Sequence, residues 1–373
     1  MTEQLKERLI LDGHKLLWHR ERLESWLKGE RVAPITIDCA LTRACSYNCI
    51  YCYGQFQENK GYNLSKDVIF RFLDDAAEIG VKAVSFVSDG ESTLSPHIYD
   101  AIIHGYNNGL DMAIGTNGYS LKDECLELIL PALTYVRFNI SAGTPERYAR
   151  IHGVDEKAFY KVMETIKKSV SIKKNLGLNV TIGLQMVLMP DMGEDILPLA
   201  KLGKELGVDY LVIKHCSDDE NSSLGIDYDS YNGLIGILRE AESLSEKDYL
   251  VKAKWSKILS GGKREYKHCF GAPLILQMSG SGLIAPCGML FNEKYKDKFH
   301  IGNITEKSFK EIWQSERYWE VMKRISCSEF DPRKDCGTLC LQHKVNEFLW
   351  ELKKLDKMPM EANEEPPLHK NFI

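Results

Sequence analysis

The chain has 373 residues, of which 44% are hydrophobic, and a formal net charge of −5 from 48 basic and 53 acidic side chains. This length predicts two domains, or one large domain with an appendage. The acidic balance argues against a nucleic-acid-binding role, and without an apolar run of about 18 residues no membrane span is expected. The charged N-terminus has no signal-peptide pattern, so we expect a cytoplasmic protein. In that compartment the 11 cysteines indicate metal or catalytic sites.

The first predicted element is an amphipathic helix over residues 3–29. Apolar side chains recur there at helical spacing among charged ones, from Leu5 to Leu27. Pro34 ends the segment. We therefore expect residues 1–34 to form a helical cap that packs on the core.

Strands and helices then alternate over residues 35–248. The predicted strands are 35–39, 83–87, 112–116, 135–141, 179–188 and 210–214, and the predicted helices are 66–79, 96–108, 122–129, 145–151, 157–174, 193–205 and 227–244. This alternation predicts a parallel sheet with right-handed crossovers. In parallel barrels the chemistry lies at the carboxyl ends of the strands.

Three cysteines, Cys45, Cys49 and Cys52, follow the first predicted strand with the spacing C-x3-C-x2-C. Thiolates this close can converge on one soft metal centre. A structural zinc site takes four protein ligands, whereas a [4Fe–4S] cluster held by three cysteines keeps one iron free. Cys39 lies six residues upstream of Cys45, so a closed zinc site in a non-catalytic binding protein remains the alternative.

This spacing, with the aromatic Tyr51 before the last cysteine, resembles the signature of the radical S-adenosylmethionine (SAM) superfamily. The resemblance covers about residues 35–215 and implies an α/β fold built on a partial (β/α)6 TIM-like barrel. It also implies that the free iron chelates SAM, which electron transfer cleaves to a 5′-deoxyadenosyl radical. An electron donor such as flavodoxin or ferredoxin is then required.

Polar residues at the ends of successive strands agree with this resemblance. Strand two ends in a segment similar to the family's Gly-Gly-Glu, with Asp89 in place of the first glycine. The same dipeptides are also ordinary turns. The SAM contacts implied by the resemblance are Tyr51, Asp89, Gly90, Glu91, Thr116, Asn117, Asn139, Ser141 and Gln185.

The sixth predicted strand ends in Lys214, His215 and Cys216, on what we expect to be the far, substrate-facing wall of the barrel mouth. Cys216 could donate a hydrogen atom to a substrate radical, because an S–H bond is weak, and the outcome would be epimerisation. It could equally be a small buried residue. Lys214 and His215 are candidate anchors for an anionic substrate.

Residues 249–373 are predicted to form a small α+β domain rich in cysteine. A hairpin over 274–286 lies between Cys269 and Cys287, and the layout resembles the SPASM/twitch auxiliary-cluster extension of radical SAM enzymes. Phe330 stands where a further cysteine of that extension is expected. The resemblance therefore implies one auxiliary [4Fe–4S] cluster, with a four-cysteine zinc site as the alternative. Its implied ligands are Cys269, Cys287, Cys336 and Cys340, with Cys327 as a substitute for one of them.

The function implied is hydrogen abstraction from a C–H bond by an oxidoreductase or an epimerase. An auxiliary cluster suits oxidation of the substrate radical, and a cysteine donor suits epimerisation. We expect a small polar or carbohydrate-like substrate, because no leader-binding domain is recognisable; modification of a ribosomally synthesised peptide is the alternative. The final residues, 366–373, are expected by default to be a frayed tail, with folding back over the barrel as the alternative.

Overall fold

The computed structural model describes residues 8–57, 63–337, 340, 342–355, 358 and 365–373. Its centre is a ten-stranded sheet in the order β10-β9-β8-β1-β2-β3-β4-β5-β6-β7. The strands are β1 Thr36–Cys39, β2 Ala83–Phe86, β3 Asp111–Thr116, β4 Leu133–Asn139, β5 Thr181–Leu188, β6 Tyr210–His215, β7 Leu250–Ala253, β8 Ile275–Met278, β9 Leu283–Ala285 and β10 Gly302–Asn303.

Helices cover the outer face of this sheet. They are α1 Arg20–Leu27, α2 Lys66–Glu78, α3 Ile98–Asn107, α4 Leu126–Ile129, α5 Pro145–His152, α6 Lys157–Leu176, α7 Gly193–Leu206, α8 Ile235–Ser243, α9 Trp255–Ile258, α10 Lys296–Phe299, α11 Phe309–Gln314, α12 Glu316–Ile325, α13 Pro332–Asp335 and α14 His343–Leu355. No helix in the described part of the chain is long and apolar enough to cross a membrane.

The parallel barrel-like sheet confirms the predicted α/β fold. Strands β1 to β7 pair in parallel in sequence order. All eight residues of β5 are buried, as expected for a parallel strand covered on both faces. The carboxyl ends of these strands share one edge, so the loops that follow them meet at one mouth.

The sequence did not predict the positions of two strands in the sheet. β7 extends the sheet beyond β6. The predicted C-terminal hairpin is present as β8 and β9, but β8 pairs in parallel with β1, through Thr36 and Ile275. The sheet therefore runs without a break from the barrel into the cysteine-rich segment.

The predicted helix over 3–29 is present in only part of its described range, residues 16–27. Leu9 packs with Tyr210 beneath the barrel, whereas Leu16 packs with Ile35 in a different apolar cluster. The two leucines share a helical spacing but lie in separate cores. The helical conformation therefore runs only through a 3₁₀ turn at Leu16–His19 and then α1.

The C-terminal tail is packed rather than frayed. Phe372 is 7% exposed and contacts Ala83 and Tyr135, near the starts of β2 and β4. The Thr36 hydroxyl donates to the carbonyl oxygen of Asn371 at 2.6 Å. The tail thus closes the amino-terminal end of the barrel, opposite the mouth.

Candidate metal centres and the barrel interior

The cysteine loop is held where it leaves β1. The backbone of Gly90 lies so close to residues 42–43 that an added Cβ would be 2.3 Å from the Thr42 carbonyl oxygen. Gly280, in the turn between β8 and β9, would place its Cβ 2.2 Å from the Thr42 carbonyl carbon. The loop is therefore clamped between the segment after β2 and the hairpin turn.

The three thiols of this loop lie together at the mouth. Cys45 and Cys52 are exposed and Cys49 is partly buried. Burial, and then the neighbouring Cys52 thiol, raise the pKa of Cys49 to about 12. Iron ligation requires thiolates, so a bound cluster would stabilise the ionised form that this site otherwise disfavours. Three soft donors open to solvent on one side fit a cluster that keeps one iron free.

His152, at the end of α5, adjoins this loop and was not foreseen from the sequence. Its Nε2 atom accepts a hydrogen bond from the Ser141 backbone N–H at 3.1 Å. Its Nδ1 atom lies 3.2 Å from Cys49 Sγ and 3.4 Å from the Tyr51 hydroxyl oxygen. Burial lowers the pKa of His152 to about 3, so the ring is neutral.

Glu91 is 4% exposed and joins the loops after β2 and β3. Its Oε1 atom accepts from the hydroxyls of Thr93 at 2.7 Å and Thr116 at 2.8 Å, and its Oε2 atom accepts from Asn117 N–H at 2.7 Å. The Asn117 Nδ2 group is buried without a hydrogen-bond partner in the described residues. That amide is a free donor beside the loop, as a bound polar cofactor requires.

The Asp89 carboxylate forms hydrogen bonds and an ion pair with other residues of the protein. Its carboxylate accepts from the Ser279 hydroxyl at 2.6 Å and from Gly280 N–H at 2.9 Å, and lies 3.3 Å from Arg43 Nη1. The side chain that replaces the family's first glycine thus fastens the hairpin turn to the cysteine loop.

The ends of β4 and β5 brace each other. Gln185 Nε2 donates to Asn139 Oδ1 at 2.8 Å, and the Ser141 hydroxyl accepts from Val187 N–H at 3.1 Å. The structure therefore brings Asn139, Ser141 and Gln185 together at the mouth, with their side chains bonded across the two strands.

The three residues at the end of β6 and just after it, Lys214, His215 and Cys216, lie in different surroundings. Cys216 is fully buried, and its Sγ atom lies 3.7 Å from the Tyr51 carbonyl oxygen, so it adjoins the cysteine loop rather than the far wall. His215 is 1% exposed between the rings of Tyr228 and Tyr231. The expectation that His215 lines the substrate wall is therefore not met.

Lys214 belongs to a group of charged side chains inside the barrel. Burial, and then the neighbouring Arg137 and Lys257, lower the pKa of Lys214 to about 7. Burial raises the pKa of Asp38 to about 6, against the opposing effect of Arg137. Among these side chains the sequence had singled out only Lys214, because charged residues within a strand carry no motif.

The four C-terminal thiols line one small cavity. Cys269, Cys287, Cys336 and Cys340 share it with apolar neighbours that include Leu290, Ile325 and Phe330. Burial raises the pKa of Cys269 and of Cys287 to about 12. Four free thiols around one cavity fit a cluster whose irons are all bound by protein.

Three neighbouring residues show which side chains contact the thiols of this cavity and which do not. Asn346 Nδ2 lies 3.6 Å from the Sγ atoms of both Cys269 and Cys340. Phe330, where a further cysteine was expected, is part of the lining, whereas Cys327 is not. The Cys327 thiol instead donates to the Arg324 carbonyl oxygen at 3.4 Å.

The chain is similar to several curated proteins. A curated relative from Pyrococcus furiosus, a tungsten-containing aldehyde ferredoxin oxidoreductase cofactor-modifying protein, is 25% identical over 74% of this chain and 80% of its own. An AdoMet-dependent heme synthase from Methanosarcina barkeri is 24% identical over 84% of this chain and 90% of its own. A probable GTP 3′,8-cyclase from Saccharolobus islandicus is 30% identical over 46% of this chain and 53% of its own.

Solved structures share the fold at low identity. Streptococcus suis SuiB bound to S-adenosylmethionine has a TM-score of 0.61 and 17% identity, with 81% of this chain and 70% of SuiB covered. SuiB bound to its precursor peptide SuiA also has a TM-score of 0.61, with 16% identity over 84% of this chain and 74% of SuiB. Native anSMEcpe with bound AdoMet has a TM-score of 0.57 and 15% identity, with 85% of this chain and 96% of anSMEcpe covered.

Two family models match the chain. The radical SAM superfamily matches residues 40–202, and the SPASM iron–sulfur cluster-binding domain matches residues 269–340. These ranges contain all the cysteines of the two sites described above. A [4Fe–4S] cluster with SAM, and a further iron–sulfur centre in the SPASM domain, are the cofactors that this pair of domains implies. The chain is a member of the radical SAM superfamily with a C-terminal SPASM domain.

Proposed function

We propose that this enzyme oxidises a small polar substrate by hydrogen abstraction followed by loss of one electron. Cys45, Cys49 and Cys52 would hold the SAM-binding cluster. When SAM is bound and reduced there, it supplies the 5′-deoxyadenosyl radical. Abstraction leaves 5′-deoxyadenosine and a substrate radical, and loss of one proton and one electron from that radical gives a product with two fewer hydrogens.

The observation that carries this proposal is the auxiliary cavity beside the barrel interior. Lys257 interacts electrostatically with Cys340 and Cys287 of that cavity, and also with Lys214 in the barrel. An electron acceptor in the cavity would therefore lie close to a substrate in the barrel. We propose one auxiliary [4Fe–4S] cluster there, bound by Cys269, Cys287, Cys336 and Cys340.

Oxidation is favoured over epimerisation by the position of Cys216. A hydrogen-atom donor must reach the substrate radical, but this side chain is fully buried. Its Sγ atom lies 3.5 Å from the Ser217 carbonyl oxygen and 3.7 Å from the Tyr51 carbonyl oxygen. We therefore propose that Cys216 packs against the cysteine loop and donates no hydrogen atom.

The substrate class rests on two kinds of relative. A cofactor-modifying protein and a heme synthase are two relatives that align over most of their length, and they favour a small molecule. The peptide alternative is supported by SuiB, whose complex with the precursor peptide SuiA shares the fold. That likeness is one of fold alone, so the small molecule is the leading proposal.

The test is to reduce anaerobically reconstituted enzyme with SAM and candidate substrates in heavy water. We expect 5′-deoxyadenosine and a product lighter by the mass of two hydrogens. Deuterium uptake without this mass loss would instead indicate epimerisation. Stoichiometric zinc without iron would support the non-catalytic alternative.

A further inference from the structure

The barrel interior carries more positive than negative charge. The positive side chains are Arg137 on β4, Lys214 on β6, Lys254 just before α9 and Lys257 within α9. They lie close enough to repel one another. The carboxylates that face them in the described residues are Asp38, and Asp12 near Lys254 and Lys257. Four cations therefore face two carboxylates.

The two carboxylates offset only part of this positive charge. Asp12 accepts hydrogen bonds from the backbone N–H and the hydroxyl of Ser256. Burial raises the pKa of Asp38 to about 6, so this carboxyl is still mostly ionised at pH 7 and offsets one of the four positive charges. Buried or half-buried charges without a partner are costly unless something else balances them.

The Arg137 guanidinium lies over the Tyr135 ring, but one of its donors has no acceptor among the described residues. Arg137 Nε is buried without a hydrogen-bond partner in the part of the chain that the structure describes. No carboxylate among the described residues lies within 4.0 Å of the ammonium group of Lys214 or Lys254. Lysines elsewhere do form such ion pairs, for example Lys173 with Asp209. Guanidinium and ammonium donors gathered in the barrel interior are the groups that bind carboxylates and phosphates.

We propose that the substrate of this enzyme is an anion whose carboxylate or phosphate group is bound inside the barrel by Arg137, Lys214 and Lys254. This inference rests on the proposed function, because it names the substrate class of that same site. Lys257 extends the positive charge to the auxiliary cysteine cavity. The anionic group would therefore orient the substrate between the cysteine loop and that cavity.

The test is calorimetric titration of the anaerobic, SAM-loaded holoenzyme with citrate, with inorganic pyrophosphate and with the neutral polyol sorbitol. We expect at least one anion to bind and sorbitol not to bind; whichever anion binds more tightly distinguishes carboxylate from phosphate recognition. Lys214→Met and Arg137→Met should each weaken anion binding by about tenfold or more, the usual loss for a charged hydrogen bond.

Two further variants separate charge from folding. Lys214→Arg keeps the charge and should keep binding, whereas Lys201→Met removes an exposed lysine of α7 and should change nothing. Equal binding of sorbitol, no binding of either anion, or unchanged affinity in both Met variants would overturn the inference. Reductive SAM cleavage by the wild-type enzyme is measured in parallel, because its failure would instead reject the proposed function.

A second inference concerns His152, and it rests on the hydrogen bonds of that ring alone. The Ser141 backbone N–H can only donate, so His152 Nε2 must be unprotonated. The neutral ring therefore carries its proton on Nδ1, 3.2 Å from Cys49 Sγ. We propose that His152 is a positioning residue that donates an N–H···S hydrogen bond to a thiolate of the SAM-binding cluster.

Such a bond stabilises the more negative, reduced cluster, so it raises the reduction potential. His152→Phe should shift the midpoint potential of that cluster downward, and His152→Gln, which keeps an amide donor, should shift it less. The cluster is recognised by electron paramagnetic resonance as the signal that changes when SAM is added. An unchanged potential in a folded, iron-loaded His152→Phe variant would overturn this inference, and so would equal shifts in both variants.

Discussion

Cys45 and Cys52 of the SAM-binding loop are exposed, whereas Cys269 of the auxiliary cavity is 9% exposed and lies among Leu290 and Phe330. Polar groups with free donors, such as Asn117 Nδ2, surround the first site, and apolar side chains surround the second. A cofactor that must admit SAM needs an accessible iron, while one that only accepts electrons is better enclosed. The two sites therefore differ in the number and exposure of their thiols in the way that the two proposed cluster roles require.

The largest effect is expected at the open site. Cys49→Ala leaves two thiols for a cluster that needs three, so we expect complete loss of 5′-deoxyadenosine formation with SAM and dithionite. Cys125→Ala is the matched control, because this half-buried cysteine before α4 belongs to neither site. Activity retained by Cys49→Ala, or lost by Cys125→Ala, would contradict the assignment of the open site.

At the enclosed site the expected loss is confined to the second half of the reaction. Cys340→Ala should abolish substrate oxidation while 5′-deoxyadenosine still forms, because the electron acceptor is lost and the SAM-binding loop is intact. Cys327→Ala should keep both activities, since its thiol points to the Arg324 carbonyl oxygen. A loss of iron from Cys327→Ala would make Cys327 a ligand.

Two glycines with the same backbone conformation test the clamp that holds the cysteine loop against the hairpin turn. Gly90 and Gly109 both have φ of +79°, but only at Gly90 would an added Cβ meet neighbouring atoms. Gly109→Ala should cost about 1–2 kcal/mol of folding free energy from backbone strain alone. Gly90→Ala should cost more, at least about 3 kcal/mol, and should also weaken SAM binding. Equal denaturation midpoints for the two variants would show that the close approach at Thr42 is relaxed in solution.

The smallest effect on chemistry is expected at the opposite end of the barrel. Phe372→Ala removes an aromatic ring packed on Ala83 and Tyr135. We expect a loss of about 3 kcal/mol in unfolding free energy, at the low end for a buried phenylalanine because the chain ends there. SAM cleavage by the folded variant should be unchanged, and a loss of cleavage without a loss of stability would link this end to the mouth.

Periodicity and spacing were sufficient to predict much of the molecule. The six barrel strands and most of their helices follow from alternating apolar runs, and both cysteine sets follow from their spacing. Leu9 and Leu16 misled the helix prediction, because periodicity does not tell which core a side chain enters. The pairing of β8 with β1, between residues far apart in the chain, has no local signal.

The charged and hydrogen-bonded parts of the site were the least predictable. Asp89 matched a family position, but its contacts with Ser279 and Gly280 depend on a turn 190 residues away. His152 lies 103 residues from Cys49, and nothing near it in the sequence marks it as a neighbour of the loop. Arg137 and Lys254 stand out only when the fold places them near Lys214.

The assignment of two clusters is tested most directly by measuring iron and acid-labile sulfide per chain. The measurement is made after anaerobic reconstitution and repeated with SAM. We predict about eight irons and about eight sulfides, as two four-iron clusters, with only one of the two spectroscopic signals changed by SAM. About four irons would contradict the second cluster and remove the electron acceptor from the proposed oxidation. Zinc without iron would contradict the account of both sites.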